Sequence, residues 1–172
     1  MTTPAPWSPA IERMLARAQD TAARVTEGFP HWADPETGRW TTTPDGDWTG
    51  GYWIGMLWLA AAAPGDARYA AGAAALAERL RPRIAAETVF KSFPAYYGAA
   101  LGAILHDAPG PREIAIETAR HLARRLYSPT LKLVPLGTQA EEGTHIGNTE
   151  TSIDSLQAAP LLFWAASATG DA

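Results

Sequence analysis

The sequence predicts an all-α protein built of helical hairpins, and three observations carry that reading. Apolar residues recur at helical steps through most of the chain. Glycine and proline fall largely at the joints between those periodic stretches. The joints also repeat: "AAAAPGDARY" at 60–69, "ILHDAPGPRE" at 104–113 and "AASATGDA" at 165–172 each read as the tip of a hairpin, with Gly ending one helix and Asp or Pro starting the next.

Ser8-Pro9 opens the first helix, which runs to about Val25 with Ile11, Leu15, Ala18 and Ala22 on one face. Residues 28–50, "GFPHWADPETGRWTTTPDGDWTG", have turn formers throughout and no helical period, so a long loop is expected. Further helices are expected over about Gly51–Ala63, Asp66 or Ala67 to Ile84, Phe93–Leu105, Pro111–Leu126 and Ser152–Ala168. No convincing strand is present, although "LKLVPL" at 131–136 would make a short extended edge. The tight turns then share one end of the molecule and the long loops the other. Hairpins arranged in this way around an axis form an α/α toroid whose long loops, residues 28–53, 85–93 and 127–152, enclose a pocket. The chain reads as one toroid segment over 1–172.

Composition narrows the functions. The chain has 172 residues, net charge −4 and no cysteine, which excludes disulfides, thiolate metal sites and a cysteine nucleophile. Acidic residues outnumber basic ones, and Arg79, Arg81 and Arg83 read as a solvated face, so no nucleic-acid partner is expected. No stretch is long and apolar enough to span a bilayer, and the N-terminus lacks the basic start and apolar core of a signal peptide, so a cytoplasmic protein is expected.

The most informative stretch is "WTGGYWIGMLWLA" at 48–60. Trp32, Trp40, Trp48 and Trp53 crowd the long loop and the helix entry beside Gly50, Gly51 and Gly55, which let backbone or ligand approach closely. Flat aromatic faces beside open space suit the apolar faces of sugar rings. The alternative is that these tryptophans plug the end of a helical barrel. Trp58, among leucines and alanines, reads as core.

"FP" at 29–30, "WTGGYWIGMLWLA" followed by "GDARY", and "TSIDSLQAAPLLFWAASATGD" at 151–171 together resemble the unsaturated glucuronyl hydrolases of glycoside hydrolase family 88 and their unsaturated rhamnogalacturonyl relatives. The resemblance runs over roughly residues 28–172. It implies a six-hairpin α/α barrel of which this chain holds the N-terminal half. It also implies hydration of the C4=C5 double bond of a terminal unsaturated uronic acid, after which the hydrated sugar opens and releases its neighbour. The chemistry asks for a carboxylic acid to protonate C4 and a carboxylate to deprotonate the water that attacks C5.

The resemblance places Asp154 on the family's acid/base aspartate; the alternative is an aspartate that caps its helix. The family's second carboxylate, in a Thr-His-Asp stretch, falls on Thr88, Val89 and Phe90, and Phe90 cannot ionise. That exchange removes an influence that would hold Asp154 protonated and a polar contact to the sugar or the water. Glu87, Glu141, Glu142 or Glu150 would have to substitute, and each alone reads as a solvated loop carboxylate. His145, nine residues ahead of Asp154, and His31, beside Trp32, are further substrate-binding candidates, while His106 and His121 look structural. No metal and no cofactor are expected, because no His or acidic pair has ligand spacing.

Six helices make only three hairpins, so an apolar wall would stay open. Either the chain is an N-terminal portion of a longer protein, or a second chain closes the ring, with a homodimer the simplest closure. Two further readings stand beside the hydrolase: a catalytically altered module that binds a sugar or another flat ligand, and a scaffold for assembly.

Overall fold

The computed structural model describes residues 8–63, 67–141 and 143–171. The hairpin tip expected around Gly65 and Asp66, and Glu142, lie outside them. Six α-helices follow one another: α1 (Ser8–Arg24), α2 (Gly50–Ala62), α3 (Ala67–Glu78), α4 (Leu101–His106), α5 (Pro109–His121) and α6 (Ala158–Thr169). Helices α2, α4 and α6 form the inner layer of an arc, with α3 and α5 packed behind them and α1 beside α2. This is an α/α toroid segment of three hairpins, about half a barrel. Among the described residues no helix is long and apolar enough to cross a membrane.

Close approach of backbones, rather than room for a ligand, explains the glycines of α2. A Cβ at Gly51 would stand 2.2 Å from Pro94 Cα, and one at Gly98 would stand 3.2 Å from Gly51 Cα. α2 can therefore lie directly on the π-helical turn Pro94–Ala100 that leads into α4. Trp58 is buried in that contact as expected; its Nε1 donates to Gly98 O at 2.8 Å, and His106 Nε2 meets Trp58 O at 2.9 Å.

The structure departs from the sequence reading in several places. Residues 28–50 are not simply a loop. They contain β1 (Phe29–Ala33) and β2 (Trp40–Thr43), an antiparallel pair with Phe29 opposite Thr43, Ala33 opposite Trp40 and a register shift between Pro30 and Trp32. Aromatic and β-branched residues favour this pairing. Asp34 closes the turn by accepting from Glu36 N, Thr37 N and Thr37 Oγ1 at 3.0, 2.7 and 2.9 Å.

The expected third and fifth helices end early. α3 gives way to a 3-10 turn at Arg81–Ala85, and α5 continues as a π-helical turn at Leu122–Leu126. At the 104–113 joint Asp107, not glycine, takes the left-handed conformation, and Gly110 lies inside α5. On α1 only Ala18 and Thr21 are buried, while Ile11 stays exposed, because the helix packs chiefly beside α2 and an open hollow separates it from α3. On the inner helices Met56, Leu59, Ile104, Leu105 and Phe163 are exposed, as an open half-ring requires.

Candidate functional site

The long-loop end is floored by main-chain hydrogen bonds. Val89 N donates to Leu136 O at 3.0 Å, Leu136 N to Glu150 O at 3.0 Å, and Thr138 N and Gln139 N to Glu87 O at 2.8 and 3.0 Å. Gly137 pairs with both Thr88 and Gly147. Its φ of +101° and the 2.2 Å from a would-be Cβ to Glu87 O leave no room for a side chain. The extended edge foreseen at 131–136 does not form as such: Leu131 and Lys132 lie in a turn, with Lys132 at φ 56°, Leu133 bridges back to Ser128, and only Leu136 bonds into the ladder.

This ladder sets the 3-10 turn Ile153–Gln157 against the 3-10 turn Val89–Lys91. Ser152 caps the first of these: its Oγ accepts from Asp154 N at 3.1 Å and donates to Asp154 Oδ2 at 3.0 Å. The Asp154 carboxylate is therefore not needed as the cap. Tyr97 Oη donates to Gln157 Oε1 at 3.4 Å. The Tyr52 phenol is pushed up by burial first, then by Tyr97 and by the charge of Asp154, so the Ile153–Gln157 turn brings that carboxylate within electrostatic range of Tyr52.

From Tyr52 an aromatic wall runs outward. Its ring centroids lie 4.8 Å from Tyr97 and 5.9 Å from Phe93, and Phe93 is 6.2 Å from Trp48. Trp48 meets His31 edge-on at 6.3 Å, and His31 meets Trp32 at 6.0 Å. His31 Nδ1 is 2.6 Å from Thr49 Oγ1, which ties the β-hairpin to the entry of α2. Trp32, 63% exposed, ends the wall in solvent. Phe90 is buried and stacks on Phe93 at 6.2 Å, with 11° between the planes.

Asp154, Trp48, His31, Trp32 and Phe90 therefore share one end of the molecule, with the Asp154 turn tied to the aromatic run through Gln157 and Tyr97. Trp53 and Trp40 lie elsewhere. One residue along α2 from Tyr52, Trp53 is turned toward α1 and α3, where it lines an open hollow of about 570 Å³ with Leu57, Tyr69 and Leu76. Trp40 lines a separate hollow of about 370 Å³ with Arg24 and Arg39. His145 is exposed, with Nε2 3.1 Å from Glu150 Oε2. Among the described residues no three His, Asp or Glu side chains converge as a metal site.

Sequence reasoning missed Tyr52, Tyr97 and Gln157, whose role follows from the crossing of α2 with the π-helical turn. It also placed Arg83 and Glu141 in solvent, whereas both side chains are only 5% exposed and paired with each other.

Lys91 was missed as well. Its ammonium is buried, donating to Ile84 O at 2.8 Å and Ala86 O at 2.6 Å and lying 2.5 Å from His121 Nδ1. Burial pulls this amine down to about 8 from 10.5. Between those values the unfolded chain holds more protons, so stability rises with pH across that window. Urea titrations at a series of pH values are expected to show this rise in the wild type and a flat response in Lys91→Met.

The comparisons agree on one relationship. No family model matches the chain. Over 171 residues it is 28% identical to an unsaturated glucuronyl hydrolase from Bacillus sp. (strain GL1), spanning 96% of this chain and 44% of that protein. The crystal structure of the unsaturated glucuronyl hydrolase from Bacillus sp. GL1, described as responsible for the degradation of glycosaminoglycan, superposes with TM-score 0.82 at 27% identity, over 96% of this chain and 44% of that one. A structure described as UGL with dGlcA-Glc-Rha-Glc gives TM-score 0.83 at 27% identity and the same coverage. An unsaturated glucuronyl hydrolase from Streptococcus agalactiae, 22% identical over 94% of this chain and 41% of that one, shares the fold with TM-score 0.76. The likeness is to unsaturated glucuronyl hydrolases, and the chain spans less than half of their length.

Proposed function

We propose that this chain supplies the acid/base side of a glycoside hydrolase that hydrates the C4=C5 double bond of a terminal unsaturated uronic acid. The observation that carries it is the position of Asp154, on a turn tied through Gln157 to Tyr97 at the inner end of the aromatic wall and within electrostatic range of Tyr52. In the protonated form it delivers a proton to C4; as the carboxylate it takes one from the water that bonds to C5. The product is a hemiketal at C5, whose ring opening expels the neighbouring sugar as an alcohol. The wall of Tyr52, Phe93 and Trp48 packs against the apolar faces of the sugar rings. The other half of the ring, whether further sequence of a longer protein, a second copy or another chain, would cover Met56, Leu59 and Phe163 and complete the pocket.

A second reading is favoured by Phe90. An aromatic ring, buried on Phe93, stands where the resemblance puts a carboxylate. Such a site would hold the sugar without hydrating it.

The test is incubation with a lyase-generated unsaturated disaccharide, following loss of the conjugated chromophore and, in parallel, binding by calorimetry. Turnover supports the hydrolase; saturable binding with an unchanged chromophore selects the second reading; neither defeats both. The exposed end of the wall gives a further expectation. Trp32→Ala weakens binding of an unsaturated tetrasaccharide by up to about tenfold, the scale of one aromatic contact, and leaves the disaccharide unaffected.

A further inference from the structure

Three separate segments meet at a buried ionic cluster beside the aromatic wall. Arg83, on the 3-10 turn after α3, donates from one terminal nitrogen to Asp45 Oδ2 at 2.8 Å and from the other to Glu141 Oε1. Glu141 also lies within hydrogen-bonding reach of Asp47. Asp45 and Asp47 sit on the segment that carries Trp48 and opens α2, and Glu141 sits on the loop that leads through Glu150 to Asp154. Asp47, 6% exposed, holds a left-handed backbone at φ 44°. Its Oδ1 is buried without a donor.

Two carboxyls, the half-exposed Asp45 and the buried Glu141, therefore share one guanidinium, and a third, the buried Asp47, lies against Glu141. Full ionisation would set three carboxylates, with Asp47 and Glu141 adjacent in the buried part, against a single compensating charge, at a cost far above that in water. One proton on Glu141 removes the repulsion and gives Asp47 Oδ1 its missing donor.

We propose that Arg83 and the Asp47–Glu141 carboxyl pair form a positioning clamp that holds the Trp48 segment against the loop leading to Asp154, closed while the pair carries a proton and loosened as that proton leaves. The use of the clamp for a sugar rests on the function proposed above; the clamp itself does not. Burial first, then the hydrogen bond to Asp47, pushes Glu141 up to about 8, against the opposing pull of Arg83. Its ordinary value is 4.5, so the folded clamp keeps its proton over a range where a solvated Glu141 has lost it. Closure is then strongest at low pH and is lost as pH rises toward 8.

The other charged neighbours act differently. Lys91 loses its proton at the upper edge of that window, at about 8 in the folded protein, and there its loss of charge adds stability and works against the loosening of the clamp. His121, held below its ordinary value by burial and Lys91, opposes the clamp on the acid side. Glu87 and Arg125 lie with His121 rather than with Arg83. Asp45 remains on Arg83 throughout.

Amide hydrogen exchange of peptides covering 44–50 and 138–150, corrected for intrinsic rates, reads the clamp without any ligand. Between about pH 5 and about pH 8, opening is expected to become at least about tenfold easier in the wild type. Glu141→Gln, which still donates to Asp47 and accepts from Arg83, stays protected at both. Glu141→Ala is open at both. Equal exchange at the two pH values in the wild type, or a Glu141→Gln protein as pH-dependent as the wild type, overturns the proposal. Titration of the same proteins with the unsaturated disaccharide separates the two claims. A sugar that binds at neither pH defeats the sugar site, while the exchange result decides the clamp independently.

Discussion

Asp154→Asn is expected to slow hydration of an unsaturated disaccharide by about 10²- to 10⁴-fold, the range that one positioned acid/base group contributes. The amide can still accept from Ser152 Oγ, so the 3-10 turn and its tie to Tyr97 through Gln157 should persist. Binding is then expected to change by no more than about 1 kcal/mol. A large loss of rate with near-constant affinity marks a group used in the transition state, whereas a parallel loss of both would mark a structural one. Equal rates in the two proteins would remove Asp154 from the chemistry.

Gly51→Ala is expected to cost about 3 kcal/mol or more, because the new methyl would meet Pro94 Cα at 2.2 Å, Phe93 O at 2.9 Å and Pro94 N at 2.9 Å. All three belong to backbone, so no rotamer change relieves the contact. α2 would have to move away from the π-helical turn, carrying Tyr52 from Phe93 and Tyr97 and opening the hydrogen bond from Trp58 Nε1 to Gly98 O. The melting temperature should fall by roughly 6–12 °C. Gly72→Ala is the control. That helical glycine has nothing within 4 Å of a new Cβ, and alanine there should be neutral or stabilising by up to about 1 kcal/mol.

What could be read from the sequence follows the range of the forces involved. Helix positions were legible because a 3.6-residue period is local, and the burial of Trp58 followed from its apolar surroundings. The resemblance that singled out Asp154 also located the end of the molecule that carries the aromatic wall. Trp53 was misplaced because one step along a helix turns a side chain by about 100°, enough to move it from the face of Tyr52 to the face of α1 and α3. The β-hairpin was hidden by the turn residues that flank two short strands. Arg83 and Glu141 could not be read as buried. Their partners lie 38 and 58 residues away along the chain, and only the folded loops bring them together.

The ladder through Thr88, Gly137 and Gly147 is made of peptide groups, which every residue except proline supplies in full. With Gly137 retained, side chains standing on that platform are free to drift without dismantling it. A position such as 90 can exchange an ionisable group for a ring while the turn beneath keeps its course. The architecture thereby separates the persistence of the pocket from the persistence of its chemistry, and lets divergence in specificity or outright loss of turnover proceed on an intact frame.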